Sequence, residues 1–270
     1  MKFEKVQPIV KWSGSKRSQA ENIIKEFGNF NTYFEPFIGG GSILYYASSK
    51  GNSIGGDINL PLIELWKLVK NNPEEVYLEY KKKWEQLQIM GHEYFYTVRE
   101  SFNKNYSPHS LLFLTRTCVN GLIRYNKNGE FNNSFHHSRK GINPERLKKI
   151  IFKWSEKIQS TTFLHGDYRE TTKLAKEGDL VYLDPPYFST KGRYFGTIDF
   201  DEFIKYLYDL KRRKVKFILS YDGIRGDNSY LVNIPKDLYK KHILLDSGSS
   251  TFLKVIDKKL EEVKESLYIS

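Results

Sequence analysis

A short apolar run that ends in an acid and two prolines constrains the fold of this chain more than any other stretch. Leu180–Leu183 has the length and composition of a buried strand, and it is followed by Asp184, Pro185, Pro186 and Tyr187. Proline cannot donate a hydrogen bond to a sheet, so the strand must end at Asp184, which the first proline biases toward an extended backbone. Because ligands of open α/β sheets bind beyond the carboxyl ends of the strands, the sequence predicts a functional acid at this edge.

The chemistry of these four residues suits an exocyclic amino group. The Asp184 carboxylate and the Pro185 carbonyl are two hydrogen-bond acceptors, and Tyr187 offers a ring on which a base could stack. Two acceptors that draw both hydrogens to one side would turn the nitrogen lone pair toward an electrophile, which is catalysis by positioning and electrostatics. The alternative is a strand-ending turn with a capping acid.

A strand, a glycine loop and a helix are predicted near the start of the chain. Residues 33–35 form the strand, the loop contains Phe37, Gly39 and Gly41, and residues 43–49 form the helix. A second predicted strand, residues 53–56, ends at Asp57, about 20 residues beyond the start of the loop, where an acid can bind ribose hydroxyls. The loop departs from the full dinucleotide pattern, so the order of elements predicts a different nucleoside-containing cofactor.

Two further stretches could contact such a ligand. Before the first strand, Trp12 and Lys16 flank a small-residue turn that could wrap a ring and a carboxylate, although an ordinary loop before a helix would look the same. Asp167 and Tyr168 follow a predicted strand at residues 162–165, and Asp167 could accept a hydrogen bond from a cofactor adenine or could be a simple turn acid.

The middle of the chain interrupts the alternation of strands and helices. Helices are predicted at residues 60–70, 73–89, 92–103 and 108–119, a hairpin at residues 120–132, and a further helix at residues 144–158 that Asn143 caps. The hairpin region carries Arg124, Lys127, Arg139 and Lys140, and a basic hairpin can enter a DNA groove, although a surface hairpin with scattered charge is the alternative. This block is predicted to be an inserted domain.

Composition limits the class of protein. Lys and Arg number 43 against 32 Asp and Glu, a formal charge of +11, which suits a polyanionic partner such as nucleic acid. Cys118 is the only cysteine, which excludes an intrachain disulfide and a cysteine-based metal site, and no metal is expected. The start of the sequence lacks the apolar core of a signal peptide, so a cytoplasmic protein without a membrane span is expected.

Four motifs in one order resemble the Dam-type, or alpha-class, DNA adenine-N6 methyltransferases. They are the Lys11–Lys16 stretch, the Phe34–Ser42 loop, the segment from Asn120 to Asn132, and Asp184-Pro185-Pro186-Tyr187. The resemblance implies an α/β fold, namely a Rossmann-like class I methyltransferase sheet with an inserted, mainly helical target-recognition domain that carries a β-hairpin. It places the catalytic domain at residues 1–58 and 160–270 and the recognition insert at residues 59–159.

The resemblance also implies S-adenosylmethionine as methyl donor, double-stranded DNA as partner and extrusion of the target adenine. Position by position, it implies catalytic roles for Asp184, Pro185 and Tyr187. It implies cofactor contacts for Trp12, Lys16, Phe37, Gly39, Gly41, Asp57, Asp167, Tyr168 and Asp184, and DNA contacts for Lys11, Leu122, Arg124, Asn126, Lys127 and Arg139.

Departures from the family pattern fall in the recognition segment. Val119 stands where well-known members carry an aromatic residue, and Ser134 to His137 replace a Pro-Phe-Gly-Arg-like run. A target containing 5′-GA, with GATC as first candidate, is expected, as are a monomer and a cognate restriction endonuclease as a possible partner.

Three other functions fit parts of the sequence. A cytosine-C5 enzyme would need a cysteine nucleophile, but Cys118 lies far from the Asp-Pro-Pro motif. A cytosine-N4 enzyme uses similar chemistry and more often has Ser in place of Asp184, and a silent DNA-binding regulator would not need the intact acid. Adenine-N6 methylation is the function that the sequence favours.

Overall fold

A computed structural model describes residues 4–121, 123–138, 140–186, 198–225, 228–229, 233–249 and 262–270. Its strands are β1 (Thr32–Glu35), β2 (Asn52–Asp57), β3 (Thr161–His165), β4 (Leu180–Leu183), β5 (Lys216–Arg225), β6 (Asn228–Ser229), β7 (Lys241–Ser249) and β8 (Glu262–Ile269). Its helices are α1 (Ala20–Lys25), α2 (Leu44–Ala47), α3 (Leu60–Asn71), α4 (Pro73–Met90), α5 (His92–Asn105), α6 (Pro108–Thr117), α7 (Pro144–Lys157), α8 (Tyr168–Thr171) and α9 (Phe200–Arg212).

The strands form one mixed sheet in the order β3-β2-β1-β4-β5-β8-β7. The first five strands are parallel, β8 runs antiparallel to both β5 and β7, and the short β6 pairs antiparallel with β5. This 3-2-1-4-5 order reverses direction between β1 and β4, which is where doubly wound sheets bind their ligands. The predicted Rossmann-like α/β sheet is therefore confirmed.

Both faces of the sheet are covered, as the continuous apolar strands require. Along β4, Tyr182 points into an apolar cluster that also contains Trp66 of α3 and Trp154 of α7. Val181 points the other way, into a cluster built around Phe203 of α9. Successive side chains of β4 point to opposite faces of the sheet, so this one strand packs against helices on both faces.

Side-chain caps set the starts of several helices. The Asn59 side chain accepts from the Leu62 backbone N–H at the start of α3, and Asn143 accepts from two backbone N–H groups at the start of α7. The predicted Asn143 cap is present. A 3-10 turn at Lys16–Ser18 precedes α1, which ends at Lys25.

The predicted hairpin is held by isolated β-bridges and not by a continuous ladder of strand pairs. Isolated antiparallel bridges join Cys118 to Phe135 and Tyr125 to Phe131. The apolar cluster on the α3 face of the sheet continues into α5 and α6, so the limits of a recognition insert stay a prediction. Within the described part of the chain, no helix combines the length and apolar character needed to cross a membrane.

Candidate active site

A cleft with about 1130 Å³ of empty space opens at the point where the strand order reverses. Glu35 closes β1 and Asp184 follows β4, so parallel neighbours deliver two acids to one edge. The cleft is lined by every described residue that the sequence assigned to catalysis or to the cofactor, namely Trp12, Lys16, Phe37, Gly39, Gly41, Asp57, Asp167, Tyr168, Asp184 and Pro185.

The glycine loop packs so closely that side chains would not fit. Gly39 has a φ of +45°, and a Cβ added there would lie 2.6 Å from the Trp12 indole nitrogen. A Cβ on Gly41, whose φ is +65°, would lie 3.1 Å from the rings of both Trp66 and Trp154. The Trp66 indole N–H also donates to the Gly39 carbonyl at 3.1 Å, which fixes the loop against α3.

Asp57 is held by the loop and by the chain that follows β2. One carboxylate oxygen accepts from the Gly39 backbone N–H at 3.2 Å and the other from the Asn59 backbone N–H at 3.0 Å. Burial raises the pKa of Asp57 to about 6, although these backbone N–H groups oppose the rise. A carboxylate has about four acceptor positions, so Asp57 can still accept from hydroxyl groups of a ligand in the cleft.

Asp167 and Tyr168 form another wall of the cleft. The Asp167 carboxylate caps α8 by accepting from the Arg169 backbone N–H at 2.9 Å, and it pairs with the Arg169 side chain at 2.8 Å. The Tyr168 ring lies 5.5 Å from the ring of Phe37, centroid to centroid, so the two form an aromatic surface suited to a planar ligand.

The Asp184 carboxylate forms an ion pair with Lys16. The Lys16 ammonium lies 2.8 Å from Asp184 Oδ1 and 3.3 Å from Glu265 Oε2. Burial raises the pKa of Asp184 to about 6, while the charge and hydrogen bond of Lys16 oppose the rise. The sequence assigned Lys16 to the cofactor, whereas in the structure its charged end is engaged by two acids. The predicted stacking residue Tyr187 lies outside the described residues.

Sequence reasoning missed Glu35. This acid is almost fully buried, lines the cleft, and accepts a hydrogen bond of 2.7 Å from the Tyr33 hydroxyl. Burial raises the pKa of Glu35 to about 8, so the side chain is neutral at pH 7. Its position just before Pro36 repeats the pattern that drew attention to Asp184, and this signal could have found it.

The hairpin region contributes one side of the cleft and an exposed basic surface. Ile123 and Tyr125 line the cleft, and the Tyr125 hydroxyl accepts from the Asn59 side chain at 3.0 Å. Arg124 and Lys127 are exposed.

Other predicted DNA contacts have different surroundings. The Asn126 side chain accepts from the backbone N–H groups of Asn128 and Glu130, so it organises its own turn. Lys11 packs against Gly121. Leu122 and Arg139 lie outside the described residues.

The side chains described here offer few other catalytic groups. Among them, no group of three or more His, Cys, Asp or Glu residues is placed to hold a metal ion. Cys118 is buried, and burial raises the pKa of its thiol to about 11, which leaves little thiolate at neutral pH. A cysteine-nucleophile mechanism has no support at this position.

Comparison with known proteins agrees with the geometry of the cleft. The sequence profile of the D12 class of N6 adenine-specific DNA methyltransferases matches residues 12–248. The type II methyltransferase M.MjaIII of Methanocaldococcus jannaschii is 32% identical over 266 residues, covering 87% of this chain and 88% of the relative. The DNA adenine methylase of Serratia marcescens is 32% identical over 189 residues, 68% of each chain.

Among solved structures, the rRNA methyltransferase AviRa of Streptomyces viridochromogenes has a TM-score of 0.42 and 11% identity, over 98% of this chain and 86% of that one. That similarity is too low to assign a function. The profile, by contrast, covers most of the chain and includes the glycine loop and the Asp-Pro-Pro motif. The chain therefore belongs to the D12 class of N6 adenine-specific DNA methyltransferases.

Proposed function

We propose that this DNA adenine methyltransferase binds S-adenosylmethionine in the cleft and presents an extruded adenine to it through Asp184 and Pro185. One observation carries the proposal: the Asp184 carboxylate shares a single cleft with the glycine loop and with Asp57. A site in which Asp184 faced core side chains, away from that loop, would not support it.

The residues of the cleft fit the cofactor. Asp57 offers acceptors for ribose hydroxyls, the rings of Phe37 and Tyr168 offer an aromatic surface for the cofactor's adenine, and the glycine loop lets the backbone approach closely. When bound, S-adenosylmethionine supplies an electrophilic methyl group on a sulfonium. Trp12 lines the cleft beside the glycine loop, and Lys16 lines it beside Asp184. Asp167 would bind the ligand through the oxygen positions that Arg169 leaves available.

Asp184 and Pro185 orient the acceptor nitrogen. The adenine amino group is paired inside the duplex, so the base must be flipped out before the two acceptors can reach it. They draw its hydrogens to one side, which directs the lone pair at the methyl group. Transfer would form an N6–C bond as the sulfur–methyl bond of the donor breaks and leaves a neutral thioether. The ionised Asp184 carboxylate can accept the proton that the amino group must then lose. Tyr187 is proposed to stack on the base.

We propose that residues 59–159 form the recognition insert and that its exposed basic side chains contact DNA. Arg124 and Lys127 are exposed on the hairpin, and Lys11 packs beneath its first turn. Arg can pair bidentately with guanine O6 and N7, which suits a 5′-GA target such as GATC. Leu122, Asn126 and Arg139 complete the proposed contact set.

Two proposals concern partners. A cognate restriction endonuclease is supported by the archaeal relative, which is named a type II methyltransferase. A monomer is proposed because the described residues complete the cleft within one chain.

Transfer of labelled methyl groups to duplex DNA tests the proposed chemistry. We expect N6-methyladenine as the product, identified by mass analysis of the nucleosides. Asp184→Ala should lower the transfer rate by about 10² or more while DNA affinity stays within a few-fold of the wild type, because Asp184 acts on the amino group and not on phosphates. Asp201→Ala, which alters an exposed acid of α9, is the control. N4-methylcytosine as product, or near wild-type transfer by Asp184→Ala, would contradict the proposal.

A further inference from the structure

One buried lysine lies between two acids that are far apart in the sequence. Lys16 Nζ is 2.8 Å from Asp184 Oδ1 and 3.3 Å from Glu265 Oε2, and the three side chains are 3%, 19% and 18% exposed, respectively. The Oε2 atom of Glu265 is shielded from water and has no hydrogen-bond partner among the described residues, so its contact with Lys16 is an ion pair without a well-aligned hydrogen bond. Such an arrangement costs desolvation energy, so its presence beside the reacting atoms calls for a functional explanation.

The sheet order brings Glu265 to this place. Asp184 follows β4, whose Leu183 lies opposite Leu219 of β5. Further along β5, Tyr221 lies opposite Ser266 of β8. Glu265 precedes Ser266 in β8, so it lies beyond the level of Asp184 along β5, and its side chain reaches Lys16.

The charges of this group do not cancel. One ammonium faces two carboxylates, which gives the group a charge of −1, and screening by salt is weak in a buried cleft. Asp222, which follows Tyr221 on β5, is a further buried acid. Three other titratable groups beside Asp184 add little charge. Glu35 is neutral at pH 7 because burial raises its pKa to about 8, and burial raises the pKa values of Tyr33 and Tyr182 far above neutrality.

We propose that Glu265 is a positioning residue that anchors Lys16 and leaves the group of Lys16, Asp184 and Glu265 with a net negative charge, which favours the cationic methyl donor over its neutral thioether product. The inference rests on the proposed binding of S-adenosylmethionine. Lys16 keeps the Asp184 carboxylate ionised and oriented, and Glu265 holds Lys16 without consuming the negative charge that a sulfonium would meet. Loss of the methyl group removes the positive charge from the ligand, so product release becomes easier at that moment.

Ligand binding without turnover tests this role. The dissociation constants of S-adenosylmethionine and S-adenosylhomocysteine are measured by calorimetry for the wild type and for Glu265→Gln, in the absence of DNA. We expect the affinity for the sulfonium to fall by at least about threefold more than the affinity for the thioether, because one nearby charge is lost and only one ligand is a cation. Asp246→Asn, which removes an exposed acid on the adjacent strand β7, should leave the ratio unchanged.

The possible outcomes separate the two proposals. If Glu265→Gln lowers the affinity for both ligands equally, or leaves the ratio of the two dissociation constants unchanged, the charge role of Glu265 is overturned while the cofactor assignment stays intact. A wild-type chain that binds neither ligand would overturn the proposed function itself. If Glu265→Gln does not fold, Glu265→Met gives the same comparison, because an apolar side chain of similar volume leaves no polar atom to desolvate.

Discussion

Asp184 must be ionised to accept hydrogens from an amino group, and this requirement sets a pH limit. Burial raises the pKa of Asp184 to about 6, so protonation as the pH falls through 6 should remove the acceptor and slow transfer about tenfold per pH unit below it. Single-turnover rates should be measured across this pH range at saturating cofactor. Burial also raises the pKa of Asp57 to about 6, so cofactor binding would change over the same range if it were not saturated.

Asp184→Asn is the matched control for that pH profile. An amide keeps one acceptor oxygen but cannot titrate in this range, so the variant should be slower and its acid limb should flatten. An unchanged acid limb in Asp184→Asn would show that another group controls the rate.

The individual residues of the cleft could be predicted to different extents. Asp184 and Asp57 follow strands that are visible as short apolar runs, so their place at the edge of the sheet follows from local pattern. Glu265, the second acid that pairs with Lys16, could not be predicted from local pattern. Glu265 reaches it only because β8 lies next to β5, and that pairing depends on tertiary structure.

At the scale of elements, the turn that begins the hairpin positions a proposed DNA contact. Gly121 has a φ of +64°, and a Cβ added there would lie 2.6 Å from Lys11 Cβ, whereas a Cβ on Gly129, with a φ of +77°, would meet no described atom within 4 Å. Gly121→Ala and Gly129→Ala therefore share backbone strain of about 1–2 kcal/mol. Only Gly121→Ala should also displace Lys11.

We expect Gly121→Ala to lose discrimination between the cognate site and single-base variants by roughly 1–3 kcal/mol, the range for one base contact. This loss of discrimination is measured by methylation rates on the cognate duplex and on a panel of single-base variants, with Gly129→Ala as the reference. Equal losses in both variants would mean that strain alone, and not Lys11, accounts for the effect.

Elements were predicted most accurately where several local signals agree. The helix from Pro144 begins as predicted because Asn143 caps it and Pro144 occupies its first turn. The hairpin around Tyr125 and Phe131 was predicted from its turn residues, but the extent of pairing was not, because it depends on packing of both rings against the helices. The inserted domain that the run of helices predicts stays a prediction.

At the scale of the whole molecule, Glu35 should make stability depend on pH. Burial raises the pKa of Glu35 from 4.5 to about 8 in the folded state. Between these values the unfolded chain loses a proton from Glu35 that the folded chain keeps, so the contribution of Glu35 to the free energy of unfolding should fall by about 1.4 kcal/mol per pH unit and level off above pH 8.

Glu35→Gln keeps an acceptor for the Tyr33 hydroxyl but does not titrate. Its stability relative to the wild type should therefore rise steadily from pH 5 to pH 8. Denaturant unfolding at several pH values, without cofactor, measures the difference. A constant difference across this range would show that Glu35 is ionised in the folded chain.

The position of β8 has a consequence for the synthesis of the protein. β8 follows β7 in the chain but separates it from β5, so a nascent chain cannot complete this half of the sheet until the ribosome has delivered residues up to Ile269. Until then the edge of β5 is exposed to unwanted pairing, and Lys16 lacks one of its two acids. The pairing of β8 with β5 and the contact of Glu265 with Lys16 can therefore form only after residues 262–269 have been translated.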